Sequence, residues 1–249
     1  MRLEDVKKIG VVGGGVMGGG IGQIMALAGH EVIIRDLSRE IVEKTRNTII
    51  ETRFGLKRAV DIGKLAANDY EAVVSRLNFT TRVEDLADCD VIVEAVPEDL
   101  ELKQRVFKEL DGLIKPEAIF ASNTSGYAIE DLARDVSDQR KQQFAGTHYF
   151  SPVPAMKACE IVYTPQTSEE TIETLKGLIE GAGKTTIMVK DAPGSYGFIV
   201  NRVFAAARAE ANKIVEAGIA TQEDVDKAMI NGRNWPVGFY NQGARTGWL

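Results

Sequence analysis

The sequence predicts an α/β protein: a doubly wound parallel sheet with helices on both faces, followed by a smaller all-helical C-terminal domain. Three observations carry that prediction. Short apolar runs alternate with amphipathic helical patterns from the N-terminus to about residue 190. A glycine-rich turn, "VVGGGVMGGG", joins the first apolar run to the first helix. After "KDAPGSYG" the strand pattern stops and only helical periodicity remains. The predicted domains are therefore residues 1–190 and residues 191–249.

The elements follow in order. "KIGVVGG" reads as a short buried strand, "VMGGGIGQIMALAGH" as a helix ending near Gly29, and "EVIIRD" as a second strand. One long amphipathic helical segment is expected from roughly Arg39 to Lys64, and "DYEAVVSRL" as another helix. "LNFTT", "DVIVEAV" and "AIFASN" are apolar strands, with a helix from Leu100 to Ile114 between the last two. "FAGTHYF", "CEIVYT" and "TTIMVK" extend the sheet. Pro193, Gly194 and Gly197 then punctuate the chain, and helices are expected over Phe198–Ala217 and Gln222–Met229. Thr221 and Asp224 form an N-cap pair for the second of these. A helical region this small rarely stabilises itself, so it must pack on the first domain or on another subunit.

At 44% hydrophobic and 27% charged residues, the 249-residue chain has the composition of a soluble globular protein of one large or two unequal domains. A net charge of −6 argues against a general nucleic-acid binder. Cys89 and Cys159 sit in apolar strand-like surroundings without metal-ligand spacing, which predicts reduced packing residues and no metal site. The N-terminus is charged and short before the first strand, unlike a secretory signal, and no apolar run reaches membrane-spanning length. These features predict a cytoplasmic protein without membrane partners, although a processed organellar protein would share them.

Gly13, Gly15 and Gly18 form G-x-G-x-x-G between a strand and a helix, the context of a Rossmann-type dinucleotide site. Gly13 permits the tight turn, Gly15 lets a pyrophosphate approach the backbone, and Gly18 lets the helix pack close to the strand. Backbone amides at the helix start, around Val16 and Met17, would meet the phosphate charge. Asp36 ends the second strand, where a carboxylate accepts bonds from ribose hydroxyls and repels a 2′-phosphate. That favours NAD, while Arg35 and Arg39 beside it leave some NADP use open. The competing reading is a nucleotide fold without hydride chemistry.

The chain holds two histidines. His30 precedes the second strand as a turn residue. His148 lies in "GTHYFSPVPAMKACEIV", on an apolar segment next to the one that carries Glu160. Two readings compete: a core histidine satisfied by a backbone carbonyl beside a strand-edge carboxylate, or a proton-relay pair. "ASNTSGYAIEDLA" adds a strand end bearing Ser122, Asn123, Thr124 and Ser125, the side of such a sheet where ligands bind.

The joint order of EAVPED, SNTS, H-aromatic-F-x-P-V-P-x-M-K and PG…NR resembles the L-3-hydroxyacyl-CoA dehydrogenase family over most of the chain. The resemblance implies an NAD-dependent enzyme that reversibly oxidises an (S)-3-hydroxyacyl-CoA thioester to the 3-oxo form in fatty-acid metabolism. It implies His148 as catalytic base and Glu160 as its hydrogen-bond partner. It implies Ser125 and Asn201 near the reacting oxygen, Glu98 and Lys103 on the nicotinamide–ribose side of the cofactor, and Asn123 and Ser125 as further cofactor contacts. Against these stand Ser125 as a helix cap and Asn201 as a tie between the domains. The acyl-CoA phosphates need basic residues, which Arg53, Lys57, Arg58 and Lys64 could supply, with Lys57 the candidate substrate contact; a solvated helix face explains the same charges. The resemblance further implies a homodimer through the C-terminal helices.

Three features depart from the family pattern. Ser151 stands where members often carry Asn. "DAPGSYGFIVNR" is three residues longer than D-x-P-G-F-I-V-N-R, and the helical domain is expected to be shortened. Two rivals accompany this reading: a dehydrogenase of a free hydroxy acid or sugar acid, and a non-catalytic dinucleotide-binding sensor. The start directly on the first strand is expected to exclude a fused hydratase.

Overall fold

The computed structural model describes residues 1–241. It divides into two compact units, Met1–Tyr196 and the residues from Gly197 onward.

The first unit is built on an eight-stranded sheet in the order β3-β2-β1-β4-β5-β6-β7-β8. The strands are β1 (Lys8–Val12), β2 (Glu31–Arg35), β3 (Leu77–Thr80), β4 (Val91–Glu94), β5 (Ile119–Ser122), β6 (Phe144–Tyr149), β7 (Ala158–Tyr163) and β8 (Thr185–Lys190). Successive strand residues point to opposite faces. In β4, β5 and β6 every residue is buried, so both faces of the sheet centre are covered. That is why these strands read as continuous apolar runs.

All pairings are parallel except β6–β7. The reason is the connection. Residues 150–157 are too few for the crossover of a dozen or more that parallel neighbours need, so the chain returns antiparallel. Between β7 and β8 the chain has room for the helix Glu169–Gly181, and that pair is parallel.

The remaining helices of this unit are α1 (Val16–Leu27), α2 (Arg39–Glu51), α3 (Leu56–Asp61), α4 (Ala67–Ser75), α5 (Leu100–Asp111), α6 (Ile129–Leu132) and α7 (Asp138–Gln142), with Glu169–Gly181 as α8. The expected single helix over residues 39–64 is broken in two. The chain turns at Gly55, where a Cβ would lie 2.7 Å from the Ile50 carbonyl oxygen and 2.9 Å from that of Ile49. α1 packs on β1, β2, β3 and α2, and α8 on β6, β7 and β8.

Behind β5, the fully buried Arg140 guanidinium lies over the Phe120 ring at 4.0 Å. It donates to Asp111 Oδ1 (2.9 Å) and to the carbonyls of Ile114, Lys115 and Ala118. One charged side chain thus ties the end of α5 to the start of β5. Cys89 and Cys159 are free and buried. Burial pushes the Cys89 thiol up to about 12 and the Cys159 thiol well above its ordinary value, so neither is a thiolate at neutral pH.

The second unit holds α9 (Ile199–Glu216) and α10 (Gln222–Arg233) around Ala211, Val225 and Phe239. Thr221 caps α10 by accepting from the Asp224 amide at 3.1 Å, as the sequence predicts. The buried Asp226 carboxylate accepts from the amides of Phe239, Tyr240 and Asn241, folding the chain back over α10. Among the described residues, no helix is long and apolar enough to cross a membrane.

Candidate active site

Strand order reverses between β1 and β4, because β1 leads to β2 on one side and β4 to β5 on the other. In open α/β sheets this switch point leaves a crevice at the carboxyl ends of the strands. β1, β2, β4, β5 and β6 run the same way, so their carboxyl ends share one edge. The candidates on and just after these strands sit along that edge.

At the end of β1, Gly13 has φ +102°, and a Cβ there would lie 2.6 Å from the Ala95 carbonyl oxygen. Only glycine meets both demands. Gly15 is the N-cap of α1, and a Cβ built on it would meet nothing within 4 Å. Its open side therefore leaves room for a ligand over the helix N-terminus, where the dipole favours negative charge. Val16 is exposed at that end, while Met17 packs against the core. A Cβ on Gly18 would lie 1.8 Å from the Gly13 carbonyl oxygen. Gly18→Ala is accordingly expected to cost about 1–3 kcal/mol of stability and to weaken NADH binding. Thermal melting and NADH fluorescence titration check this, and two unchanged results would show that the loop relaxes freely.

Asp36, just past β2, accepts from the amides of Gly14 and Leu37, both at 2.6 Å. These bonds aim the carboxylate across the glycine loop and leave lone pairs on each oxygen for ribose hydroxyls. The residues present therefore fit a dinucleotide.

At the end of β4, Glu94 is fully buried. Its Oε1 accepts from Lys103 Nζ and the Val96 amide, each at 2.7 Å, and its Oε2 accepts from Ser122 Oγ at 2.6 Å. Burial pushes the Glu94 carboxyl up, and the Lys103 charge opposes it. Lys103 is 1% exposed and also contacts the Val96 carbonyl (3.2 Å) and Glu98 Oε2 (3.3 Å). Its ammonium thus sits behind Glu98 and orients that carboxylate. Glu98 Oε1 accepts from Thr124 Oγ1 (2.7 Å) and the Ser125 amide (2.8 Å), which joins the loops after β4 and β5.

Ser125 is half-buried, but α6 begins at Ile129 with Ala128 at its N-cap, so Ser125 does not cap it. The turn is closed by Thr124 Oγ1, which accepts from the amides of Gly126 and Tyr127. Asn123 Oδ1 accepts from the Tyr149 amide at 2.9 Å and so binds the end of β5 to the end of β6 beside His148.

His148 and Glu160 are direct register partners on β6 and β7. His148 Nδ1 lies 2.7 Å from Glu160 Oε2, and the two residues are 4% and 0% exposed. A carboxylate accepts, so Nδ1 carries the hydrogen, and the corresponding neutral tautomer is the one with its lone pair on Nε2. Phe150 packs against the imidazole at 4.5 Å between ring centroids. Ser151 is exposed just past this strand. The loop it opens is held by Lys184, whose Nζ donates to the carbonyls of Val153 and Met156.

The remaining candidates belong to other elements. Lys57 is exposed on α3 and pairs with Glu51 at 2.5 Å; Arg53, Arg58 and Lys64 are exposed as well. Asn201 lies on the first turn of α9, in the second unit. His30 is half-buried at the turn before β2, and burial lowers its pKa. Among the described residues, no group of three or more His, Cys, Asp or Glu could hold a metal ion. Sequence reasoning missed Glu94 and Tyr196. For Glu94 the signal was present as a carboxylate inside the apolar run "VIVEAV", since a buried charge must have a partner.

Residues 8–192 match the family described as 3-hydroxyacyl-CoA dehydrogenase, NAD binding domain, and residues 197–248 match its C-terminal domain. The chain is 38% identical to the mitochondrial hydroxyacyl-coenzyme A dehydrogenase of Rattus norvegicus over 94% of this chain and 74% of that one. It is 39% identical to a probable 3-hydroxybutyryl-CoA dehydrogenase of Deinococcus radiodurans, over 93% of this chain and 80% of the relative. The crystal structure of (S)-3-hydroxybutyryl-CoA dehydrogenase from Ralstonia eutropha is similar with a TM-score of 0.88 and 35% identity, covering 94% of this chain and 80% of that one.

Proposed function

The chain belongs to the 3-hydroxyacyl-CoA dehydrogenase family, and from that premise we propose that it reversibly oxidises (S)-3-hydroxyacyl-CoA to 3-oxoacyl-CoA, with His148 as general base. The observation that carries this reading is the buried 2.7 Å His148–Glu160 pair at the carboxyl edge of an NAD-binding sheet.

Bound NAD⁺ would supply the acceptor for the hydride lost from C3 of the substrate. His148 Nε2 takes the proton of the 3-hydroxyl as that hydride leaves, and returns it in the reverse direction. An imidazole suits both directions because its unperturbed pKa lies near neutrality. Glu160 fixes the tautomer and stabilises the imidazolium, as the carboxylate does in a Ser-His-Asp triad. Burial strengthens that contribution, because few water molecules compete with it. Gly13, Gly15, Gly18 and the amides around Val16 and Met17 hold the pyrophosphate, and Asp36 holds the adenosine ribose. Glu98 serves the nicotinamide ribose, with Lys103 acting through it. Ser125 and Asn123 face the same end of the cofactor. Ser125 and Asn201 are assigned near the reacting oxygen from the motif order, and Lys57 to the CoA phosphates. The apolar, exposed Ile199, Val203 and Ile219 of the second unit supply a homodimer surface.

The deciding assay follows NADH consumption with acetoacetyl-CoA and with free acetoacetate. Acetoacetyl-CoA is expected to turn over, with kcat/KM for the free acid lower by roughly a hundredfold or more, because the CoA moiety supplies remote binding energy. Turnover of acetoacetate alone would make the protein a free-acid dehydrogenase. NADH binding without turnover of any 3-oxoacyl thioester would make it a sensor.

A further inference from the structure

The segment that leaves β8 carries an aromatic residue back to the proposed cofactor carboxylate. Ser195 N donates to the Ala192 carbonyl at 3.2 Å, with Pro193 and Gly194 between them and Gly194 at φ +84°. This is a type II turn, with proline and glycine at the positions that turn requires. Beyond it, Tyr196 OH lies 3.3 Å from Glu98 Oε1. The Tyr196 ring meets Tyr127 edge-to-face, at 5.6 Å and 86°, and Tyr127 OH donates to the Glu98 carbonyl at 3.4 Å.

A carboxylate oxygen offers about two lone-pair sites. Glu98 Oε1 already accepts from Thr124 Oγ1 and the Ser125 amide at 2.7 and 2.8 Å, and the Tyr196 phenol is a third donor. Glu98 Oε2 faces Lys103. A ribose hydroxyl that reaches Oε1 must displace one of these donors. Thr124 and Ser125 are fixed by the turn after β5, and Lys103 is buried against Glu94. Tyr196 is 62% exposed and makes the longest of the three Oε1 contacts. Burial and the nearby Glu98 charge push its phenol above the ordinary tyrosine value, so it remains a donor at neutral pH.

We infer that Tyr196 is a positioning residue that occupies the Glu98 carboxylate in the free protein and yields it to the cofactor's ribose, thereby lowering the affinity for NAD. The inference rests on the reading of Glu98 as the nicotinamide–ribose carboxylate. An internal contact that must open before binding reduces apparent affinity by the fraction of molecules in which it is open.

The test is NADH fluorescence titration and steady-state kinetics on the full chain with Tyr196→Phe, Glu98→Gln and the double variant. Phe keeps the ring contact with Tyr127 and removes only the hydroxyl. Tyr196→Phe is expected to lower Kd for NADH and KM for NAD⁺ by about three- to fivefold, the size of one modest hydrogen bond, without raising the melting temperature of the free protein. Glu98→Gln is expected to raise both constants, and Tyr196→Phe to give no further gain in that background. Unchanged or weaker binding in Tyr196→Phe, while Glu98→Gln weakens it, would overturn the role of Tyr196 and leave the Glu98 assignment standing. Unchanged binding in Glu98→Gln would overturn both. A purely structural Tyr196 would lower the melting temperature and weaken binding together.

Discussion

Replacing His148 by glutamine is expected to lower kcat by roughly 10²–10⁴-fold, the range of a positioned acid–base group, while NADH binding stays within about twofold of the parent. Glutamine fills a similar volume and can still hydrogen-bond Glu160, so the strand pair β6–β7 keeps its packing. What it lacks is a basic lone pair that becomes a stable cation. The loss should therefore appear equally in kcat and kcat/KM, the signature of an interaction made in the transition state. Single-turnover kinetics with acetoacetyl-CoA and NADH would read it directly. Unchanged turnover would remove His148 from the mechanism and return it to the role of a satisfied core histidine.

Glu160→Gln is expected to lower kcat by about 10- to 100-fold, a smaller loss because the base itself remains. The amide can accept from Nδ1 and hold the tautomer, but it brings no charge to stabilise the imidazolium. In a site where His148 and Glu160 are 4% and 0% exposed, solvent replaces little of that charge. Removing a partner from a buried ion pair costs about 3–5 kcal/mol when it strands a charge. Glutamine keeps a hydrogen-bond acceptor for Nδ1 in a similar volume, so the melting temperature should fall far less than Glu160→Ala would make it. A kinetic loss below about threefold would identify Glu160 as a strand-edge carboxylate without a share in proton transfer.

The two variants differ in legibility. That His148 and Glu160 stand on adjoining apolar segments was readable, because a histidine and a glutamate interrupt runs that otherwise bury every position. That they face each other was not. Their contact depends on the antiparallel register that aligns Gly146 with Val162 and therefore His148 with Glu160. A one-residue slip would send one of the two side chains to the opposite face of the sheet. The short connection of residues 150–157 did foretell an antiparallel return, and the loop-length rule could have been applied to it.

Lys103 and Tyr196 mark the harder cases. Lys103 follows an acidic helix start, and its pattern suits a solvated residue as well as a cofactor contact. Only the fold of the chain from β4 into α5 places its ammonium against Glu94, where it becomes an internal counter-ion. Tyr196 belongs to a turn whose proline and glycine were plain in the sequence, yet nothing local relates it to Glu98, 98 residues earlier.

The sequence by itself determined what a few consecutive residues can enforce. It set the alternation of strand and helix, the glycine turn that only a side-chain-free backbone can make, the cap of α10 and the residue types that can carry a proton. The tertiary structure decided what depends on strand order and register: the switch point between β1 and β4, the 2.7 Å pairing of His148 with Glu160, and the crowding of donors on Glu98. The physical reason is one of range. Backbone sterics and local hydrogen bonds act within a turn or two, and a linear pattern records them. Contacts between distant segments exist only after the sheet has chosen its neighbours.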